Sequence, residues 1–200
     1  MPKTLFFDTE TTGLVEWKKP YWDPAQPHMV QLGAILVGED GLIEAQISTL
    51  IEPDGWTIPP EAEKTHGITT DRCRRFGRPL PDVLAEFLAM YASADLAIGH
   101  NISFDLSVLK TALCRSKIKH PMATHRKGKP HPLDQKPSFC TMKETADVCK
   151  LPGKFGKHKW LRLAEAYKHF TGEDMEDAHD ALADTRACRV VYEALQGVAK

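Results

Sequence analysis

Asp8 and Glu10 stand two residues apart, just after the apolar run Leu5-Phe6-Phe7. In an extended strand, residues i and i+2 leave the same face, so the two carboxylates project together while Thr9 points the other way. Two carboxylates on one face repel unless a cation lies between them or one holds a proton. A hard divalent ion with oxygen ligands, Mg²⁺ or Mn²⁺, suits such a pair. A solvated strand end carries the same D-x-E pattern, so spacing alone leaves both readings open. A third acid, Asp105, closes the segment Gly99-His100-Asn101-Ile102-Ser103-Phe104-Asp105. Asn101 reads as a helix N-cap, and Asp105 then falls in the first turns, where an acid also complements the helix dipole. The last group is His179-Asp180-Ala181-Leu182-Ala183-Asp184. On a continuous helix this spacing would put His179 and Asp184 about 140° apart. They converge only if His179 lies in the loop and Asp180 caps a helix that carries Asp184 one turn in.

These groups need elements to hold them. Residues 4–7 are β-prone, with Thr11-Thr12-Gly13 as an exit turn. Residues 15–28 are rich in Pro and aromatics, including Trp17, Tyr21 and Trp22, and read as a loop whose rings either pack together or stack on bases. Residues 29–37 and 42–51 form two strands around the turn Gly38-Glu39-Asp40-Gly41. Helical signals begin at Pro59, and Val83, Leu84, Phe87, Leu88 and Tyr91 make an apolar stripe at helical spacing. A strand is expected at 96–99, a helix at 102–113, a fifth strand at 139–141, and helices near 142–149, 160–170 and 181–195. Three strands followed by alternating helix and strand predict an α/β fold, one mixed five-stranded sheet flanked by helices.

Two hundred residues with 42% hydrophobic and 26% charged content suit one soluble globular domain spanning 1–200. No apolar run approaches the roughly 18 to 20 residues of a membrane span. The five cysteines are odd in number and never spaced C-x-x-C. With no apolar segment long enough for a signal-peptide core, they predict a cytoplasmic protein. Charge is strongly divided: residues 110–169 hold 15 Lys and Arg against 4 Asp and Glu, while the rest holds 11 bases and 23 acids. Much of the basic excess lies in a Pro-rich loop at about 117–137, with Arg126, Lys127 and Lys129, suited to phosphate contact or merely solvated. His120, His125, His131 and Cys140 are spaced by five, six and nine residues. No compact zinc pattern has that spacing.

Phe6-Phe7-Asp8-Thr9-Glu10-Thr11-Thr12-Gly13-Leu14, Asn101-Ile102-Ser103-Phe104-Asp105 and His179-x-x-x-x-Asp184 together resemble the three motifs of the DEDDh, DnaQ-like exonuclease superfamily. Ile58-Pro59-Pro60-Glu61 through Thr65-His66-Gly67-Ile68-Thr69, and Phe139-Cys140-Thr141-Met142-Lys143, are similar to further segments of its bacterial members. The resemblance implies a ribonuclease H-like fold and two-metal hydrolysis from a 3′ end, with DNA favoured over RNA. It implies Asp8, Glu10, Asp105 and Asp184 as ligands of two Mg²⁺, for which Mn²⁺ substitutes, and His179 as general base. Thr11, Leu14, Glu61, His66, Asn101 and Phe104 would meet the terminal nucleotide, with Leu14 as a wedge against its base. A DNA polymerase or repair partner is a further implication; a membrane partner is not.

Overall fold

The computed structural model describes residues 2–123, 130–153 and 158–197. The sheet has the order β3-β2-β1-β4-β5. Its strands are β1 (Thr4–Thr11), β2 (Met29–Val37), β3 (Ile43–Leu50), β4 (Leu96–Gly99) and β5 (Ser138–Cys140). β1 and β3 run antiparallel to β2, whereas β4 runs parallel to β1 and β5 parallel to β4, so the sheet is mixed as its pattern predicts. β2 is buried along its whole length, because strands flank it and helices cover both its faces. That double cover explains a strand whose side chains do not alternate between apolar and polar.

Seven α-helices are described: α1 (Pro60–His66), α2 (Thr70–Phe76), α3 (Leu80–Ser93), α4 (Ile102–Ser116), α5 (Thr141–Cys149), α6 (Leu163–Thr171) and α7 (Ala181–Leu195). None is long and apolar enough to cross a membrane. Odd-numbered β1 residues, Leu5 and Phe7, join α3 and α4 in the larger core, where Phe7 meets Phe87 edge-on at 5.3 Å. On the other face Phe6 packs with Ile35, Ile98 and the α7 residues Leu182 and Cys188. The period of two in β1 therefore feeds two helical layers. Asp8 and Glu10 share the α7 face, and Thr9 the α4 face.

Several boundaries move. β1 runs to Thr11, so both acids lie within the strand, because β2 continues to pair with it as far as Met29. α4 extends three residues beyond the expected 113, to Ser116. α6 begins at Leu163, not 160: Leu161 is buried and Trp160 exposed ahead of the helix, and the Leu161 carbonyl accepts from His100 Nε2 at 2.9 Å. The 15–28 loop is held from α4, where the Arg115 guanidinium donates to the carbonyls of Pro24, Gln26 and Pro27. Tyr21 packs edge-on against Trp22 at 4.9 Å, which favours loop packing for that pair, while Trp17 is 62% exposed. His125, Arg126, Lys127 and Lys129 of the basic loop lie outside the described residues.

Candidate active site

β1 outruns β4. Their pairing ends at Phe6 and Ile98, and β4 itself ends at Gly99. Beyond that point the β4 side of β1 lacks a strand partner, and the first turn of α4 fills the gap. Asp105 Oδ1 accepts the Thr9 backbone N–H at 3.0 Å and the Thr9 hydroxyl at 2.8 Å. The residue between the two strand acids thus fixes the third acid from the opposite layer. Sequence reading missed this role of Thr9, although its signal was present: a hydroxyl placed between two acids must face whichever helix covers the other side.

Asn101 does precede α4, yet its side chain makes no capping hydrogen bond. The chain turns sharply out of β4, and Asn101 takes up that turn at φ 68°, a left-handed conformation Asn tolerates. The expected side-chain cap is therefore corrected; Asn101 Oδ1 instead accepts the Ser103 hydroxyl, at 3.3 Å. At the other helix, the expected arrangement is found. Asp180 caps α7, its Oδ1 accepting from Leu182 N and Ala183 N at 3.1 Å each. His179 lies in the preceding loop at φ 71°, and its backbone N–H donates to Asp184 Oδ1 at 3.2 Å. Ligand atoms of Glu10, His179 and Asp184 all fall within 4.8 Å of one another.

α7 reaches the acids because β2 lets it approach. Gly33 is the cross-strand neighbour of Asp8, and a Cβ there would lie 2.2 Å from the Ala181 carbonyl oxygen. Only glycine permits that contact.

The electrostatics are severe. Asp8 is pushed well above the usual carboxylate range, first by burial and then by Asp105, Asp184, Glu10 and Asp180. Burial, followed by the charges of Asp184, Asp105 and Asp180, raises Glu10 to about 8. Asp105 and Asp184 are raised by burial too, against the hydrogen bonds from Thr9 and from the His179 backbone. Among the described residues no Lys or Arg forms an ion pair with any of these four acids. Crowded, desolvated carboxylates with no Lys or Arg partner take up protons unless cations of another kind hold them ionised, and an oxygen-rich donor set fits hard divalent ions. The residues present fit the expected metals.

The remaining candidates are unevenly placed. Leu14 is 85% exposed beyond β1, so it is not a core residue. Phe104 is partly buried against the larger core. Thr11 is buried at the end of β1, its hydroxyl donating to the Gly13 carbonyl at 2.7 Å. His66 comes close enough to Thr11 and His179 to feel both, although burial is the main cause lowering its pKa. Its Nδ1 accepts the Ile68 N–H at 3.0 Å, and its buried Nε2, turned towards the Thr11 backbone, completes no hydrogen bond of good geometry among the described residues. Glu61 is exposed in the first turn of α1, the helix that ends at His66.

The family model described as exonuclease, RNase T, matches residues 5–192, a span containing every group above. The chain belongs to the RNase T exonuclease family. It is a nuclease of the DnaQ-like class. An uncharacterised exonuclease of Escherichia phage 186 is 29% identical over 96% of this chain and 87% of its own length. The DNA polymerase III epsilon subunit of Buchnera aphidicola is 24% identical over 98% of this chain and 73% of its own. The structure of Escherichia coli exonuclease I in complex with a dA16 oligonucleotide superimposes with a TM-score of 0.72 at 19% identity. That comparison covers 98% of this chain but only 41% of exonuclease I, and shows the shared ribonuclease H-like fold.

Proposed function

We propose that this exonuclease is of the DEDDh type and hydrolyses DNA from its 3′ end, releasing nucleoside 5′-monophosphates. The observation carrying the proposal is the convergence of buried Asp105 with half-buried Asp8, Glu10 and Asp184, with no Lys or Arg paired to them among the described residues and with His179 at their rim. These four carboxylates would hold two Mg²⁺ ions, or Mn²⁺ in their place. When bound, such ions supply Lewis acidity towards the scissile phosphate and the attacking water. The chain's own part is positional and protolytic. His179 takes a proton as the water oxygen bonds to phosphorus; the P–O3′ bond breaks, O3′ takes a proton from solvent to become the 3′-hydroxyl of the shortened strand, and the terminal residue leaves as its 5′-monophosphate. Thr9 holds Asp105 in place. Leu14, exposed and apolar, is available to wedge against the terminal base, with Thr11, Asn101, Phe104, Glu61 and His66 around the terminal nucleotide.

DNA is favoured by the polymerase subunit among the relatives and by the dA16 complex of exonuclease I. The polymerase relative also supports a DNA polymerase as partner, with a repair partner as the alternative. RNA 3′ ends are the second reading, favoured by the ribonuclease after which the family model is named. Matched 5′-labelled DNA and RNA strands separate the readings: a descending ladder on DNA with Mg²⁺, abolished by chelator, is expected. Faster trimming of RNA would move the assignment to the second reading, and immediate release of labelled mononucleotide would overturn the direction.

His179→Ala is expected to slow turnover by about 10²- to 10⁴-fold, the usual loss for a positioned general base. Strand binding, followed by fluorescence anisotropy, should stay within a few-fold of wild type. Because the imidazole lies in the same 4.8 Å cluster as Glu10 and Asp184, calorimetric titration with Mn²⁺ is the companion measurement. Lost ion binding would make His179 a ligand in place of the base.

A further inference from the structure

Gln31 is a buried amide within the otherwise largely apolar strand β2, directly across from Glu10. Both ends of its side chain are engaged at the start of α7. Nε2 donates to Asp180 Oδ2 at 2.8 Å, and Oε1 accepts the Ala181 N–H at 3.1 Å. Asp180 meanwhile uses its other oxygen, Oδ1, to cap α7. The amide therefore clamps one residue's side chain and the next residue's backbone at once, immediately after His179. With Gly33 two residues on, β2 forms a seat for the first turn of α7: a gap for the backbone and a fork that sets its rotation.

That seat bears on His179. Its left-handed backbone is sparsely populated for a residue other than glycine and persists only where the surroundings dictate it. The hydrogen bond from its N–H to Asp184 Oδ1 holds it from the helix side. The clamp from β2 fixes the peptide that follows. Both carboxylates of β1 ride on the strand paired with β2, so Gln31 ties the imidazole's loop to the same rigid sheet that carries Asp8 and Glu10.

We infer that Gln31 is a positioning residue for His179, setting the imidazole against the acids through the Asp180–Ala181 peptide. The inference rests on the reading of His179 as general base. Hydrogen-bonding partners one step removed from reacting groups typically contribute 10- to 100-fold, as seen around metal ligands.

Gln31→Met keeps the volume and removes both hydrogen bonds. It is expected to lower kcat by about 10-fold or more with KM within about two-fold, since it spares the strand contacts. In a His179→Ala background the same change should cost less than about two-fold, because residues acting through one another are not additive. Asp180→Asn supplies a second variant should Gln31→Met fail to fold. Asn still caps α7, but its Nδ2 then faces Gln31 Nε2, and turning the Gln31 amide would set Nε2 against the Ala181 N–H. A fall in kcat for Asp180→Asn that matches Gln31→Met and likewise shrinks in a His179→Ala background reports the clamp. If His179→Ala is crippled while Gln31→Met and Asp180→Asn keep wild-type kcat, the inference alone falls. A full multiplicative loss for Gln31→Met in His179→Ala overturns it likewise. If His179→Ala itself turns over normally, the reading of the base and the inference fall together.

Discussion

Asp8→Asn should hydrolyse a labelled strand no faster than background, and it should also melt higher than wild type at pH 8 in chelator. The two effects have one cause. Asp8 sits mid-strand under α7, surrounded by Asp105, Asp184, Glu10 and Asp180, and the ionised form is costly there. Asn has nearly the same shape without the charge, so the metal-free fold loses a source of repulsion. For catalysis the same change removes a ligand oxygen at the centre of the acid cluster. Metal-supplied charge stabilisation in phosphoryl transfer amounts to several kcal/mol, so the loss should reach about 10³-fold or more. Asp184→Asn should behave in the same way, although with a smaller gain in stability, since its carboxylate also accepts the His179 N–H. Opposite signs in activity and stability separate a site residue from a structural one. A fully active Asp8→Asn enzyme in Mg²⁺ would sink the assignment.

Much of this was legible from residue order. The period of two in β1 placed Asp8 and Glu10 on one face, and convergence of His179 with Asp184 called for Asp180 as the cap of the helix over 181–195, with His179 in the loop before it. Local chemistry sufficed because each of those inferences concerns neighbours in the chain. The missed features all depend on distant partners. Thr9 meets Asp105 across 96 positions, and Gln31 meets Asp180 across 149. Within a strand of apolar residues a glutamine looks like an interruption until its two partners are known. Asn101 failed in a different manner. Its type favours an N-cap, but the exit from β4 demanded a left-handed residue, and backbone geometry prevailed over the side-chain preference.

Between pH 6.5 and 8.5 the metal-free protein should lose stability steadily, and Mn²⁺ or Mg²⁺ should restore more of it at the upper end than at the lower. Glu10 titrates at about 8 when folded against an ordinary value of 4.5, and Asp8, Asp105 and Asp184 are raised in the same direction. Between the unfolded and folded values the native chain holds more protons than the unfolded one, so stability falls as pH rises. His28, His66 and His100 work the other way: burial lowers their pKa, and they cost stability as pH falls below their ordinary value of 6.5. Starting at pH 6.5 leaves most of that opposing contribution behind. Divalent ions need ionised ligands, so their binding releases protons and strengthens with pH. At a hundredfold excess over Kd a bound ion contributes about 2.7 kcal/mol, which for a chain of this size shifts Tm by roughly 5 to 10 °C. Thermal melts at pH 6.5 and 8.5, each with EDTA and with Mn²⁺, give four Tm values. The metal-induced shift should be clearly larger at pH 8.5, and it should shrink in Asp8→Asn. A shift equal at both pH values would mean that the ion binds groups already ionised at pH 6.5, and the acid cluster of β1, α4 and α7 would not be its site.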